Sequence, residues 1–324
     1  MNHKFLKWIG VSIASLLVSL CASCGSSNDD GKMDIITTIF PEYDWVLNIL
    51  GEKQDNANVK MLLDSGVDLH SYQPSPKDIV SISNCDLFIY VGGESDNWVD
   101  NVLKQAKNKS MLTINLMDVL GDKKKEEELI EGMQGEEEEK EEEEEPEYDE
   151  HVWLSIKNAE IFVNTIADSI AKLDTENASY YKANADTYVA SLVDLDTRYT
   201  AAAAAGTQKT LLFADRFPFR YLVDDYELKY YAAFIGCSAE TEASFETIAF
   251  LAGKVDELNL KVILKIESSD GAIANTVKNA TTNKDQTILT MDSIQSATTK
   301  EYNAGRNYLS IMKKNLDVLK EAVK

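Results

Sequence analysis

This chain of 324 residues contains three histidines, and two of them, His70 and His151, lie past the first few residues. Side chains this scarce are read by their setting. His70 sits in "DSGVDLHSYQPSPKDIV", after a turn containing Gly66 and before a helix started by Ser75 and Pro76. His151 opens "HVWLSIKNAE", the entrance to a long helical stretch. Both follow a strand or loop end and precede a helix, which is where open α/β sheets bind their ligands. Two neutral imidazoles from separate loops are a beginning for a zinc or manganese site. Carboxylates occupy comparable places later on: Asp215 ends "KTLLFAD", Glu267 ends "LKVILKIE" and Asp292 ends "QTILTMD". Any one of them is as well suited to cap a helix. Three such acids at three strand ends, all in one lobe, are harder to assign to capping alone and offer a set of oxygen ligands.

The elements that must position these groups follow from apolar periodicity. "MDIITTIF", "NVKMLLD", "CDLFIYVG" and "SMLTINLM" read as strands, with helical spacing in "PEYDWVLNILG", "SPKDIVSISN" and "DNWVDNVLKQA" between them. This alternation predicts a parallel α/β sheet, and the near-continuous apolar run of the third strand suits burial on both faces. A helical region over 156–205, free of Pro and Gly, follows, with a capping-type restart near Asp174. A second alternation then runs through "KTLLFAD", "KYYAAF", "LKVILKIES" and "QTILTMDS", and "EYNAGRNYLSIMKKNLDVLKEAV" closes the chain as one helix. The expected layout is an α/β lobe over 33–155, a long rigid helix over 156–205 and a second lobe over 206–324.

Composition narrows the function. The hydrophobic content of 44% supports real cores, and a net charge of -23 argues against nucleic acid or an anionic membrane surface as partner. The stretch 122–150 holds 17 acids against 4 lysines and reads as a solvated, mobile loop. Residues 1–24 form a targeting segment: Lys4 and Lys7, then the apolar "WIGVSIASLLVSL", then "LCASC". Residues 25–32 read as a flexible tether. Cys85 enters a buried strand as a small apolar filler. Neither Cys85 nor Cys237 has the close Cys or His spacing of a thiolate zinc site, and a disulfide between them is left open. There is no "HExxH", "GxSxG" or Gly-rich phosphate loop, so nothing points to an enzyme.

"LCASC" resembles the lipobox of bacterial lipoproteins, with Cys24 the lipidated residue. The segment from Asp64 to Leu103 and "DEHVWLSIKNAEIFVNTIADSIAKLD" resemble the two signatures of the solute-binding proteins of zinc- and manganese-type ABC transporters. The likeness covers nearly the whole mature chain and extends to "NYLSIMKKNLDVLKEAV". It implies two pseudo-symmetric lobes joined by one rigid helix, a divalent ion in the cleft, an ABC permease as partner and a monomer anchored outside the cytoplasm by its lipid. Carried over, His70 and His151 match the first two ligands, and Asp292 the acid before the last helix. The third place departs from the pattern. In "FADRFPFRYL" either Ala214 or Arg216 falls on it, so Asp215 is the expected donor, with water or Glu267 as substitutes. Zinc is preferred over manganese. Where the family's zinc-type members carry a His- and acid-rich loop, this chain has acids without His, either a weak capture surface or a plain insertion. The alternatives are a surface adhesion protein, or a cleft for a larger solute such as a siderophore that Arg216, Arg220 and neighbouring rings would hold.

Overall fold

The computed structural model describes residues 31–135, 147–238 and 242–324. The expected signal peptide 1–24 with Cys24, most of the expected tether and the centre of the acidic stretch lie outside the described residues.

Met33–Lys324 forms one compact unit. Its first half runs β1 (Met33–Thr37), α1 (Phe40–Leu50), β2 (Ala57–Met61), α2 (Pro76–Asn84), β3 (Leu87–Tyr90), α3 (Val99–Lys104), β4 (Leu112–Asn115) and α4 (Leu116–Leu120). Two long helices follow, α5 (Ile156–Leu173) and α6 (Ala178–Ala205). The second half runs β5 (Thr210–Phe217), α7 (Arg220–Asp225), β6 (Lys229–Ile235), α8 (Phe245–Glu257), β7 (Val262–Lys265), α9 (Ala272–Ala280), β8 (Thr287–Thr290), α10 (Thr299–Asn303) and α11 (Tyr308–Ala322). The sheets are ordered β2-β1-β3-β4 and β6-β5-β7-β8, and every pairing is parallel. Each sheet repeats the same winding, so the lobes are pseudo-symmetric, as the resemblance implies.

The long helical region breaks at Asp174. Its carboxylate accepts from Asn177 N and Nδ2 and from the Tyr181 hydroxyl, so one side chain ends α5 and starts the next segment. α6, at 28 residues, is long enough to serve both lobes. Its buried face of Tyr181, Ala185, Tyr188, Leu192, Leu195, Tyr199 and Ala203 joins a core that reaches from Ile35 and Trp45 in the first lobe to Leu211, Tyr308 and Leu319 in the second.

The chain departs from the sequence expectation in three places. β5 continues to Phe217, past Asp215, with a register shift between Phe213 and Arg216. The last helix is two helices, parted at Gly305, which takes φ +94°, and α11 restarts on a capping box of Asn307 and Ser310. The described ends of the acidic stretch are docked rather than free. Glu126 and Tyr148 pair as a short antiparallel bridge, and Gln134 pairs with Phe234 of β6 while its side chain accepts from Ser244 N. Arg220 pairs with Glu128, and Lys125 with Asp224, tying the same strap to the second lobe.

Candidate metal centre

His70 is set by a single tight turn. Asp68 caps it by accepting from His70 N at 3.1 Å, Leu69 is buried beneath, and α2 begins shortly after on the Ser75–Asp78 capping box. The ring's Nδ1 faces Ser95 Oγ at 2.8 Å and Glu150 Oε2 at 3.4 Å, which leaves Nε2 pointing into the cleft. His151 is fully buried. Asp149 Oδ1 accepts from both His151 N, at 2.8 Å, and Nδ1, at 3.0 Å. The next turn is fastened across the lobes, because Trp153 Nε1 donates to Ser293 O and the Tyr308 hydroxyl donates to Trp153 O. Each imidazole therefore has its Nδ1 turned to an acidic or hydroxyl partner, the arrangement that orients a metal-binding histidine.

The two free nitrogens meet. Nε2 of His70 lies 3.1 Å from Nε2 of His151. Two nitrogens bound tetrahedrally to one zinc at about 2.0–2.1 Å stand roughly 3.3 Å apart. Two lone pairs do not face each other at that distance without something positive between them. A bound metal ion supplies that charge, and so does a proton on one of the two nitrogens. Burial works to lower the pKa of His151, but the Asp149, Asp68 and Glu150 carboxylates together raise the ring above its ordinary value. Burial and then the neighbouring His151 charge push His70 down to about 4, so it stays a neutral acceptor.

Second-lobe groups close round the pair. Cys237 Sγ and the two imidazole nitrogens all lie within 4.8 Å of one another, the one such group of three among the described residues. Burial and then Glu127 push the Cys237 thiol well above its usual range. Arg216 Nη2 is 2.9 Å from Asp68 Oδ2, and Asp68 Oδ1 is 3.9 Å from His70 Nε2. Burial works to raise Asp68, yet His70 and Arg216 hold its carboxyl below the usual value. In the amide orientation that satisfies both neighbours, Gln295 donates to the two Asp68 oxygens at 2.8 and 2.7 Å and turns its oxygen to His151 Nε2 at 3.0 Å. Ile294, just before it, holds φ +64°, a strained setting for a β-branched residue, and thereby aims Gln295 into the cleft.

The three carboxylates expected as ligands are not in this group. Asp215 is interior to β5, where Oδ1 accepts from Arg216 N and Oδ2 from Ile266 N. Asp292 accepts from Ile294 N and pairs with Arg306 at 2.6 Å, an arginine that the break at Gly305 frees to reach it. Glu267 accepts from Ser293 N and from the Ser293 and Ser296 hydroxyls. Cys237 was passed over because it lacks any nearby Cys or His in sequence. The signal that would have found it is its place just past the end of β6, the same strand-end rule that singled out the acids.

Two α/β lobes on a shared helix, with paired imidazoles in the cleft between them, define a two-lobed binding protein for a small charged solute. Residues 35–322 match the family described as ZnuA, zinc-uptake complex component A periplasmic, and the chain belongs to that family of metal-binding solute-binding proteins of ABC transporters. It is 32% identical over 329 residues to the high-affinity zinc uptake system protein ZnuA of Bacillus subtilis, covering 98% of both chains. It is 33% identical over 315 residues to the zinc-binding lipoprotein AdcA of Streptococcus pneumoniae, covering 95% of this chain and 60% of that longer protein. The crystal structure of Zn(II)-bound AdcA from Streptococcus pneumoniae superposes with a TM-score of 0.72 at 30% identity, over 90% of this chain and 58% of that one.

Proposed function

We propose that this protein captures zinc outside the cytoplasm and delivers it to the permease of an ABC transporter, with His70 and His151 gripping the ion. The observation that carries this reading is the pair of Nε2 atoms 3.1 Å apart, each ring held from behind by its own partner. The relatives named for zinc uptake and zinc binding support zinc over manganese as the cargo. In this reading Cys24 carries the lipid that anchors the chain to the membrane, 33–155 and 206–324 are the two lobes, and the protein acts as a monomer without catalysis. Binding replaces the shared proton by the metal, so capture releases protons.

The test is zinc accumulation at limiting external zinc by cells that depend on this chain. With His151→Ala in place of the native residue, accumulation falls to the level of cells lacking the chain. Undiminished accumulation by a variant present in normal amount would overturn the reading.

A further inference from the structure

The β5 end, where the resemblance puts a third ligand, offers the cleft no metal donor. Arg216 there reaches past it: Nη2 goes to Asp68 of the first lobe, and Nη1 donates to Ser238 O at 3.3 Å. That second bond grips the residue after Cys237. The turn is held from other sides as well. Cys237 N donates to Glu127 Oε1 at 3.4 Å, and Ser238 N donates to Ile235 O. Gly236 brings the backbone flat against the imidazole, since a Cβ there would stand 2.8 Å from Cε1 of His151 and 3.0 Å from its Nδ1. These contacts hold the turn on which the Cys237 sulfur lies within 4.8 Å of the paired nitrogens.

We propose that Cys237 binds zinc as a thiolate, completing a His₂Cys centre that sets the preference for zinc over manganese. The proposal rests on the metal-capture reading above. As the zinc–sulfur bond forms, the thiol proton leaves to solvent, and nothing is oxidised or reduced. A thiolate and two imidazoles are a soft donor set. Manganese favours oxygen ligands, and the oxygens that would suit it, on Asp215, Asp292 and Glu267, are bound elsewhere. Asp68, 3.9 Å from His70 Nε2, places negative charge beside the one positive charge left on the loaded centre.

The experiment uses the compact Met33–Lys324 unit, titrated with cobalt(II), zinc and manganese, alongside Cys237→Ser. Cobalt gives the intense near-ultraviolet sulfur-to-metal band in the native protein and loses it in the variant. Zinc affinity falls about tenfold or more in the variant, while manganese affinity changes by less than about threefold. A second readout needs no variant: zinc slows alkylation of Cys237 in the native protein about tenfold or more. Cys85 is the internal control, since it is buried and its thiol is pushed up to about 12. Tight cobalt and zinc binding without the band, with alkylation unaffected by zinc, overturns the thiolate and leaves zinc capture standing. No metal binding by the native protein overturns both.

Discussion

At the residue scale, each imidazole of the cleft is held by a partner at its Nδ1. Asp149 behind His151 and Ser95 behind His70 determine which ring nitrogen faces the cleft. Other buried acids serve the fold instead. Asp44 is fully buried and accepts from the Tyr188 hydroxyl at 2.7 Å, and burial raises its pKa to about 7. A carboxyl raised on folding contributes stability that is complete below its unfolded pKa and is lost as pH rises through the folded one. Asp44 therefore makes the native protein less stable between about pH 4 and pH 7, by an amount on the order of a few kcal/mol. Asp44→Asn, which cannot ionise, has a shallower decline over that window, read by urea unfolding at a series of pH values; an identical slope would refute the assignment. The histidines were legible from the sequence because they are rare and sit at strand ends. The setting of Asp215 was not, because β5 runs two residues further than "KTLLFAD" suggests and buries it inside a strand.

At the element scale, strands were the most legible part, since four short apolar runs in each half leave little freedom in a parallel sheet. Breaks in helices were harder. Asp174 could be read as a cap, and Gly305 with the Asn307 capping box marks the second parting locally, whereas the pairing of Arg306 with Asp292 joins separate segments that no local pattern encodes. The docking of the acidic stretch was hidden for the same reason: its partners Tyr221, Tyr230 and Ser244 lie about a hundred residues away. Asp174 tests the importance of the helix break directly. Asp174→Ala removes the acceptor for Asn177 and Tyr181 and lowers the unfolding free energy by about 1–2 kcal/mol, the usual cost of a lost cap. Zinc affinity shifts by less than about twofold, because the cap belongs to the strut and not to the cleft. Unchanged unfolding would show that the break needs no cap.

At the scale of the whole molecule, two sheets share one core through α5, α6 and α11. Bonds from Trp153 to Ser293, from Tyr308 to Trp153 and from Thr299 to Asp64 cross between the lobes near the cleft. These bonds fix the turn that carries His151 against the second lobe, which limits the free energy needed to arrange the cleft. The two-lobed plan was legible from alternation, but the common core was not, since it needs α6 to present one buried face to both halves. The most direct measurement is calorimetric titration of the Met33–Lys324 unit with zinc, native and His70→Ala side by side. One zinc binds per native chain, and the affinity is reduced at least about a hundredfold in the variant, a loss of about 2.7 kcal/mol. Equal affinity and stoichiometry in the two proteins would contradict it.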